Sequence, residues 1–436
     1  MKKTINIGLL GLGTIGSGVY EVLTKHRSDY KRKLGYSLEL KKIAVRSKRK
    51  KRPVRVSASM LTTDSYSIVN DPEIDIVIEL IGGVKPAKDL ILKALNNKKH
   101  VVTANKEIMS QYGKELFEAA NKNQVDLYFE ASVGGGIPII KPLKDSLSAN
   151  SVTNIMGIVN GTTNYILSKM TDEGLSYNQA LAEAQTKGFA EANPEADVGG
   201  GDAASKIAIL ASIAFNSRVR KDAVFMEGIT SVTSKDIDYA ADMDHVIKLL
   251  AIAKNKDDEL EVRVHPTMIR KEHPLAAVSG VFNAIFVEGD AVGEVMFFGQ
   301  GAGSLPTASA VVSDCLEITK NINQGITGKR MVCTCIGNGD VSPITRIESS
   351  FYMRMTVADK PGVLAKIAKI FGDKNVSIKS VIQKGPATKA SGRGMIAELV
   401  FITHPVIEAN LRKALEGISK LELVDKINNV IRVESS

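Results

Sequence analysis

The stretch that decides the fold is Thr4–Gly16, "TINIGLLGLGTIG". Its apolar first half predicts a buried strand, and a helix is expected from about Ile15 to Arg27. The glycines between them form a G-x-G-x-x-G pattern. In a βαβ unit the first permits a tight turn, the second lets a pyrophosphate approach the backbone, and the third lets the helix pack on the strand. Helix amides then face the anion, which predicts a dinucleotide site. The candidate residues are Gly11, Gly13, Thr14, Ile15 and Gly16.

The following segments continue the alternation of strand and helix. Short apolar strands that alternate with helices are typical of a parallel sheet covered on both faces. The sequence therefore predicts an α/β class with a Rossmann-type parallel sheet in residues 1–135, completed by a later helix over 306–323. The further strands are expected at "SLELKKIAV", "IDIVIEL", "HVVTA" and "VDLYFEASV", and the further helices at "PAKDLILKALNN" and "KEIMSQYGKELFEAANK".

The remaining chain divides into two more predicted domains. Longer apolar and glycine-rich segments indicate an α/β catalytic and dimerisation domain over residues 136–305. Residues 336–350 have the composition of a linker. Residues 351–433 show the order strand, helix, strand, strand, helix, strand, which predicts a C-terminal α+β ferredoxin-like domain.

Composition limits the class of protein. A chain of 436 residues and 46.9 kDa is too long for one hydrophobic core. Its three cysteines, Cys315, Cys333 and Cys335, are too few for a disulfide framework, so reduced thiols and a cytoplasmic location are expected. No segment has the length of a membrane span. The net charge of +9 leaves a nucleic-acid partner to be considered.

Six cations in seven residues follow the second predicted strand, in "RSKRKKR", Arg46–Arg52. A solvated loop or a nucleic-acid contact could account for such a run. An NAD site usually has an acidic residue here for the ribose 2′-hydroxyl, whereas a cation suits a 2′-phosphate. The position therefore favours NADP, with NAD as the other possibility, and Arg46, nearest the strand, is the main candidate. Without interleaved aromatic residues, no nucleic-acid partner is expected.

The stretch "GFAEANPEADVGGGDAASK", Gly188–Lys206, poses a chemical question. Lys206 lies one helical turn after Asp202, at the start of the apolar segment "IAILASIAF". Burying a charged lysine costs free energy, so such a residue is expected to have an ionic partner or a chemical role. A structural ion pair with Asp202 is one explanation. A catalytic amine is the other, because Glu191 and Asp197 lie on the same glycine-rich loop, and Lys106 ends "VVTANK" at the carboxyl edge of a predicted strand.

Several of these motifs together resemble a known family. "GLGTIG", "VVTANK", "FEASVGGGIP", "GIVNGTTNYIL", "GFAEANPEADVGGGDAASK" and "FNAIFVEGDAVGEVMFFGQGAGSLPTASAVVSD" together are similar to homoserine dehydrogenase, in order from Ile5 to about Asp314. "ADKPGVLAKIAKIF" resembles the start of an ACT domain, an amino-acid-sensing module. The resemblance implies NAD(P)-dependent interconversion of L-homoserine and L-aspartate 4-semialdehyde, in threonine, methionine and isoleucine biosynthesis.

The resemblance also implies residue roles. Lys206 is expected to be the catalytic acid and base, with Lys106 and Asp202 beside it. The implied substrate-binding residues are Glu191, Asp197, Asp202 and Gly188. The implied further cofactor-binding residues are Thr103, Lys106 and Gly303. The carbonyl-rich turn is expected to hold a monovalent cation, sodium, at Glu130, Val133, Gly135 and Ile137, although a glycine hinge without an ion would also fit.

Partners and alternatives complete the expectations. The resemblance implies a homodimer or homotetramer and an amino-acid effector, threonine, at Asp359–Gly362. A reductase of another small carbonyl acid and a non-catalytic amino-acid sensor are the alternative functions. Deleting everything after Ser349 is expected to leave a folded, active enzyme that no longer responds to threonine.

Overall fold

The computed structural model describes residues 4–256, 259–335, 337–383, 388–390 and 394–434. The chain forms two compact units. The first takes in Met1–Ile155, Ser205–Ala223 and Phe282–Gly339, and the second takes in Met156–Ala204, Val224–Val281 and Asp340–Ser436. The domain limits expected from the sequence stay predictions. No helix in the described part of the chain combines the length and the apolar character that crossing a membrane requires.

A six-stranded parallel sheet organises the first unit. Its strands lie in the order β3-β2-β1-β4-β5-β6. This is the order of a doubly wound dinucleotide fold, in which ligands bind outside the carboxyl ends of the strands. The predicted Rossmann-type sheet is therefore confirmed. The strands are β1 Thr4–Leu10, β2 Ser37–Ala44, β3 Leu61–Thr62, β4 Ile76–Glu79, β5 His100–Thr103 and β6 Leu127–Tyr128.

Helices cover this sheet, and the helix at Ser304–Gln324 packs against Thr14–Lys25. Gly18 permits the contact, because a Cβ there would lie 2.6 Å from the carbonyl oxygen of Ser304. The single helix expected from Ile15 to Arg27 is interrupted at His26, where a second helix follows. The other helices of the unit are Arg27–Leu34, Tyr66–Val69, Ala87–Asn96 and Lys106–Asn123. An antiparallel hairpin, Phe282–Gly289 with Gly293–Gln300, also belongs to it.

The second unit contains the remaining principal elements. Its first helices are Gly161–Glu173, Tyr177–Thr186, Glu195–Val198 and Ser234–Asp242, and its first long strands are His245–Lys256 and Glu259–Arg270. These two strands pair antiparallel. The helix Gly201–Ala214 crosses the limit between the units, which falls between Ala204 and Ser205.

The C-terminal part of the second unit has the expected α+β ferredoxin-like order, which confirms that prediction. Its strands are Glu348–Ala358, Ile378–Gln383, Gly394–Thr403 and Val424–Val433, and its helices are Val363–Asp373 and Glu408–Ile418. Val424–Val433 pairs with Glu348–Ala358. Gly394–Thr403 lies on the other side of Glu348–Ala358, and Ile378–Gln383 follows it. Phe371 and Phe401 meet edge to face in the core, with ring centroids 5.5 Å apart.

This C-terminal sheet is continuous with the earlier strands of the same unit. Val424–Val433 pairs in parallel with Glu259–Arg270, where Thr267 lies opposite Arg432. A buried ion pair reinforces this pairing, because Arg263 of Glu259–Arg270 contacts Glu434, directly after the last strand. The C-terminal part is therefore fastened to the rest of its unit by a shared sheet.

Candidate active site

The glycine loop after β1 has the geometry that phosphate binding requires. Gly11 has φ +104°, and a Cβ there would lie 2.6 Å from the carbonyl oxygen of Leu80. A Cβ on Gly16 would lie 2.2 Å from the carbonyl oxygen of Gly11, whereas Gly13 has no heavy atom within 4 Å of such a position. Space for an approaching anion is thus left at the second glycine. No side chain caps the helix that starts at Thr14, so its first amides are available to phosphate oxygens.

A cleft of about 410 Å³ opens beside this loop. Arg46, Ser47, Lys50 and Arg52 line one side, and no Asp or Glu is among the described residues around it. Arg52 donates hydrogen bonds to main-chain oxygens of the same loop, including that of Lys50 at 2.8 Å, and so fixes the loop's shape. Positive charge at the end of β2 suits a 2′-phosphate.

Gly303 lies beside the same loop. It precedes the helix Ser304–Gln324 with φ +122°, and the Ser304 hydroxyl donates to the carbonyl oxygen of Thr14 at 2.7 Å. The structure thus brings Gly303 next to the start of the dinucleotide helix, although the two lie almost 290 residues apart in sequence.

A buried carboxylate that sequence reasoning missed organises the next strand ends. Glu79 closes β4 with no solvent exposure, and burial raises its pKa. It accepts hydrogen bonds from the Thr103 hydroxyl at 2.7 Å and from the Ile81 amide at 2.7 Å. Thr103 is therefore held in place by the protein. The only sequence signal was an acidic residue ending an otherwise apolar strand.

Lys106 is the first residue of the helix Lys106–Asn123. Asn105 caps that helix by accepting from the Ile108 amide, and its own amide group donates to the carbonyl oxygen of Gly83 at 2.7 Å. The cap ties the helix start to the loop after β4. Lys106 is therefore held at the carboxyl edge of the sheet, where cofactor-proximal groups lie.

In the second unit, one asparagine joins two of the predicted carboxylates. The Asn160 side-chain amide donates to Asp197 at 2.7 Å and to Asp202 at 2.9 Å. Its oxygen accepts from the Thr163 amide and caps the helix Gly161–Glu173. Asn160 was missed as a site residue. The signal was present in "VNGTT", since Asn before a helix start is a common cap.

The other loop residues are placed as follows. Gly188 turns the chain with φ +73°, and the adjacent main-chain oxygen of Phe189 accepts from Thr162 at 2.7 Å. The Glu191 side chain is exposed, whereas its carbonyl oxygen accepts from Gln185 at 3.2 Å. The loop is thus fastened through its backbone, which leaves the Glu191 carboxylate at the surface of this unit.

Lys206 lies on the helix Gly201–Ala214, one turn after Asp202. The residues around it are buried as the sequence predicted, with Ala204 and Ile207 completely inaccessible to solvent, whereas Lys206 itself is partly exposed. Lys206 is thus a partly exposed, charged residue between buried residues on both sides, 203–205 and 207–211.

In the turn where a cation site is predicted, backbone amides occupy the Glu130 carboxylate. That carboxylate accepts the amides of Ile139, Ile140 and Lys141 at 2.6–2.9 Å, and burial raises its pKa. Gly135, with φ +54°, could carry a Cβ only at 2.3 Å from the carbonyl oxygen of Gly301. The Glu130 carboxylate therefore stabilises the backbone that follows this turn. The described residues contain no cluster of three His, Cys, Asp or Glu side chains that could hold a metal ion.

Comparison with known proteins identifies the family. Residues 138–316 match the homoserine dehydrogenase family model, residues 11–130 match the model of the homoserine dehydrogenase NAD-binding domain, and residues 351–422 match the ACT domain. The homoserine dehydrogenase of Synechocystis sp. is 50% identical over 440 residues, which cover 99% of this chain and 100% of that protein.

Solved structures of homoserine dehydrogenases are similar to this chain. A homoserine dehydrogenase from Thiobacillus denitrificans has a TM-score of 0.93 at 40% identity, over 99% of both chains. A hyperthermophilic archaeal homoserine dehydrogenase mutant in complex with NADPH has a TM-score of 0.62 at 26% identity, over 72% of this chain and 98% of that one. The predicted resemblance is confirmed. The chain belongs to the homoserine dehydrogenase family, oxidoreductases that act on a CH–OH group.

Proposed function

We propose that this chain catalyses the NADP-dependent interconversion of L-homoserine and L-aspartate 4-semialdehyde in the cytoplasm, for threonine, methionine and isoleucine biosynthesis. The observation that carries the proposal is the position of Lys206, a partly exposed amine between buried residues of its helix, one turn after Asp202. The family supplies the reaction, and this arrangement supplies a group suited to proton transfer.

The proposed chemistry divides between cofactor and protein. The bound nicotinamide cofactor supplies or accepts the hydride. In the reducing direction the Lys206 ammonium donates a proton to the developing alkoxide, and in the oxidising direction the neutral amine takes the proton back. Asp202, oriented by Asn160, lies one turn before Lys206 on the same helix. Lys106 is proposed to assist at the same reacting group.

The substrate's amino group requires anionic partners. We assign this role to Glu191 and Asp197, on a loop turned by Gly188. Asp197 is held by the Asn160 amide, so its carboxylate is oriented before substrate binds. Such preorganisation lowers the entropic cost of positioning the substrate.

An assay tests the proposal directly. Purified protein is given homoserine and NADP, and formation of the reduced cofactor is followed by absorbance. We expect turnover with homoserine and a large loss with 4-hydroxybutyrate, which lacks the amine. Equal rates with both would favour a reductase of other small carbonyl acids. No turnover with any hydroxy acid would favour a non-catalytic sensor.

The NADP preference rests on the basic side of the cleft. Combining Arg46→Glu with Lys50→Glu removes two lining cations, so we expect NADP binding to weaken by about 10–150-fold, the value of one charged hydrogen bond. NAD binding should change little. Lys48→Glu, an exposed position on the same loop that does not line the cleft, is the matched control. Titrations of both cofactors measure the ratio, and an equal loss for both would contradict a role at the 2′-phosphate.

Regulation and assembly complete the proposal. The ACT domain is an amino-acid-sensing module, and we propose threonine as the effector and a homodimer or homotetramer as the assembly. The helix Val363–Asp373 follows Gly362, which has φ +86°, and no side chain caps it. Its first amides can therefore donate hydrogen bonds to an effector carboxylate. A monovalent cation, sodium, bound by the carbonyl groups of Glu130, Val133, Gly135 and Ile137, remains a proposal of the same kind.

A further inference from the structure

Two cysteines of the first unit lie in a small, mainly apolar cavity that the proposed reaction does not use and that two cationic side chains enter. Cys333 and Cys335 are partly exposed, separated by one residue, and line a cavity of about 40 Å³. Arg218 and Lys144 also line it. The helix Lys106–Asn123 contributes Met109, Ser110, Gly113 and Phe117, none of which titrates.

The contacts in this cavity favour an anionic sulfur at Cys333. The Arg218 guanidinium donates to Cys333 Sγ at 3.6 Å, while its Nε is buried without a hydrogen-bond partner in the described part of the chain. The Lys144 ammonium donates to the carbonyl oxygen of Val332, directly before Cys333, at 2.6 Å. Among the described residues neither cation forms an ion pair with a carboxylate, so a thiolate is the available counter-ion.

The two thiols differ in their electrostatics. The pKa of Cys333 is lowered by hydrogen bonds from the thiol and the backbone amide of Cys335, and by the charges of Arg218 and Lys144. The pKa of Cys335 is raised by its hydrogen bond to Cys333 and by burial. The carbonyl oxygen of Ser212, 3.6 Å from Cys335 Sγ, is the alternative acceptor for the single Cys335 proton. These pKa directions favour a thiolate at Cys333 beside a protonated Cys335, which is the arrangement of an attacking and a resolving cysteine. The cations disfavour a bound metal cation.

We propose that Cys333 and Cys335 form a hydroperoxide-reactive pair that closes to an intrachain disulfide. The Cys333 thiolate attacks one peroxide oxygen, the O–O bond breaks, and the other oxygen leaves with a proton as water or an alcohol. Cys333 becomes a sulfenic acid. The Cys335 sulfur then loses its proton and attacks Cys333 Sγ, the S–O bond breaks, and water leaves. The two thiols lose two electrons, and the peroxide gains them.

Mass spectrometry of the full-length protein after titration with hydrogen peroxide tests the proposal. We expect the peptide with both cysteines to lose two hydrogen atoms. Cys335→Ser should stop at a sulfenic acid that dimedone traps on Cys333, and Cys333→Ser should react at least tenfold more slowly. Cys315→Ser, which removes a completely buried thiol, is the control and should behave like the wild type. Peroxide consumption at Cys315, or a disulfide between two chains, would overturn the proposal.

The cations give a second, independent measurement. The rate of iodoacetamide alkylation at Cys333, followed against pH, should fall to half at a pH at least one unit below that of an ordinary thiol. Arg218→Gln should move this midpoint upward. Arg220→Gln, an exposed arginine paired with Asp222, is the matched control and should leave the midpoint unchanged. A wild-type midpoint at the ordinary thiol value, or equal effects of the two arginine variants, would contradict the assignment.

Discussion

Lys206→Met should reduce turnover by about 10²–10⁴-fold, the usual contribution of a general acid or base. Methionine keeps the apolar stem and the approximate length but removes the proton and the charge. The nucleotide cleft lies between the glycine loop and the basic run, and Lys206 is not among its lining residues. NADP affinity should therefore stay close to that of the wild type. Steady-state kinetics and a cofactor titration together measure both effects.

The same variant should lose little stability. The sequence alone predicts a cost of about 3–5 kcal/mol if Lys206 and Asp202 form a buried pair. In the structure Lys206 is partly exposed, and Asp202 accepts from Asn160 at 2.9 Å, a contact that does not involve the lysine. We therefore expect a loss of only about 0–1 kcal/mol, as for a solvent-screened pair. Denaturant unfolding measures it.

Two further variants separate catalysis from structure. Lys114→Met, at an exposed lysine of the helix Lys106–Asn123, is the control and should change neither turnover nor stability. Combining Lys206→Met with Asp202→Asn should restore any lost stability but not turnover. Recovery of turnover in the double variant would refute the acid–base role of Lys206.

Arg354→Met should destabilise the folded protein by about 3–5 kcal/mol, as breaking a buried ion pair does. Asp236 is completely buried and accepts from Arg354 Nε at 2.7 Å, from the Tyr352 hydroxyl at 2.9 Å and from Asn429 at 2.9 Å. Removing the guanidinium leaves the carboxylate charged, without its cation and cut off from water. The free energy of unfolding from denaturant titration measures the loss.

The pH dependence of stability gives a second test of the pair. Burial raises the pKa of Asp236, but hydrogen bonds from Arg354, Asn429 and Thr233 outweigh it and hold the pKa below its ordinary value. The lowered folded-state pKa means that the pair stabilises the protein above the unfolded-state pKa. This stabilisation is lost as the pH falls through the folded-state value. Arg354→Met should therefore flatten the acid side of the stability profile.

Controls distinguish the ion pair from a general effect of losing an arginine. Arg346→Met, at an exposed position of the same unit, should change stability by less than about 0.5 kcal/mol. Adding Asp236→Asn to Arg354→Met removes the orphaned charge and should recover part of the loss. Equal stability of the Arg354→Met and Arg346→Met variants would contradict the role assigned to the pair.

These contacts change the expected outcome of deleting the C-terminal part, for which the sequence alone predicts a folded, active enzyme. Removing everything after Ser349 takes away Arg354 and the strand Val424–Val433, which pairs with Glu259–Arg270. It also removes Glu434, one of the two carboxylate partners of the buried Arg263. We now expect a destabilised chain rather than an independent active core. The effector response is better tested by single substitutions in Asp359–Gly362.

Local features of the fold could be predicted because their causes lie within a few residues. The glycine loop is an example, since a Cβ on Gly16 would lie 2.2 Å from the carbonyl oxygen of Gly11, five residues earlier. The strand and helix order of the C-terminal part follows in the same way from hydrophobic periodicity. Positions such as Gly13, Arg46 and Lys206 could be chosen because each lies at a recognisable point of a local pattern.

The sequence by itself thus determined the Rossmann-type sheet, the α+β C-terminal part and the family. The tertiary structure alone decided which charges are held by which partners. Asn160 joins Asp197 and Asp202 across about 40 residues, and Arg354 reaches Asp236 across 118. No local periodicity encodes such pairs, because they depend on how separately formed elements pack and on the cost of leaving a buried polar group unsatisfied. Glu79 and the cavity around Cys333 were found only in the folded chain for the same reason.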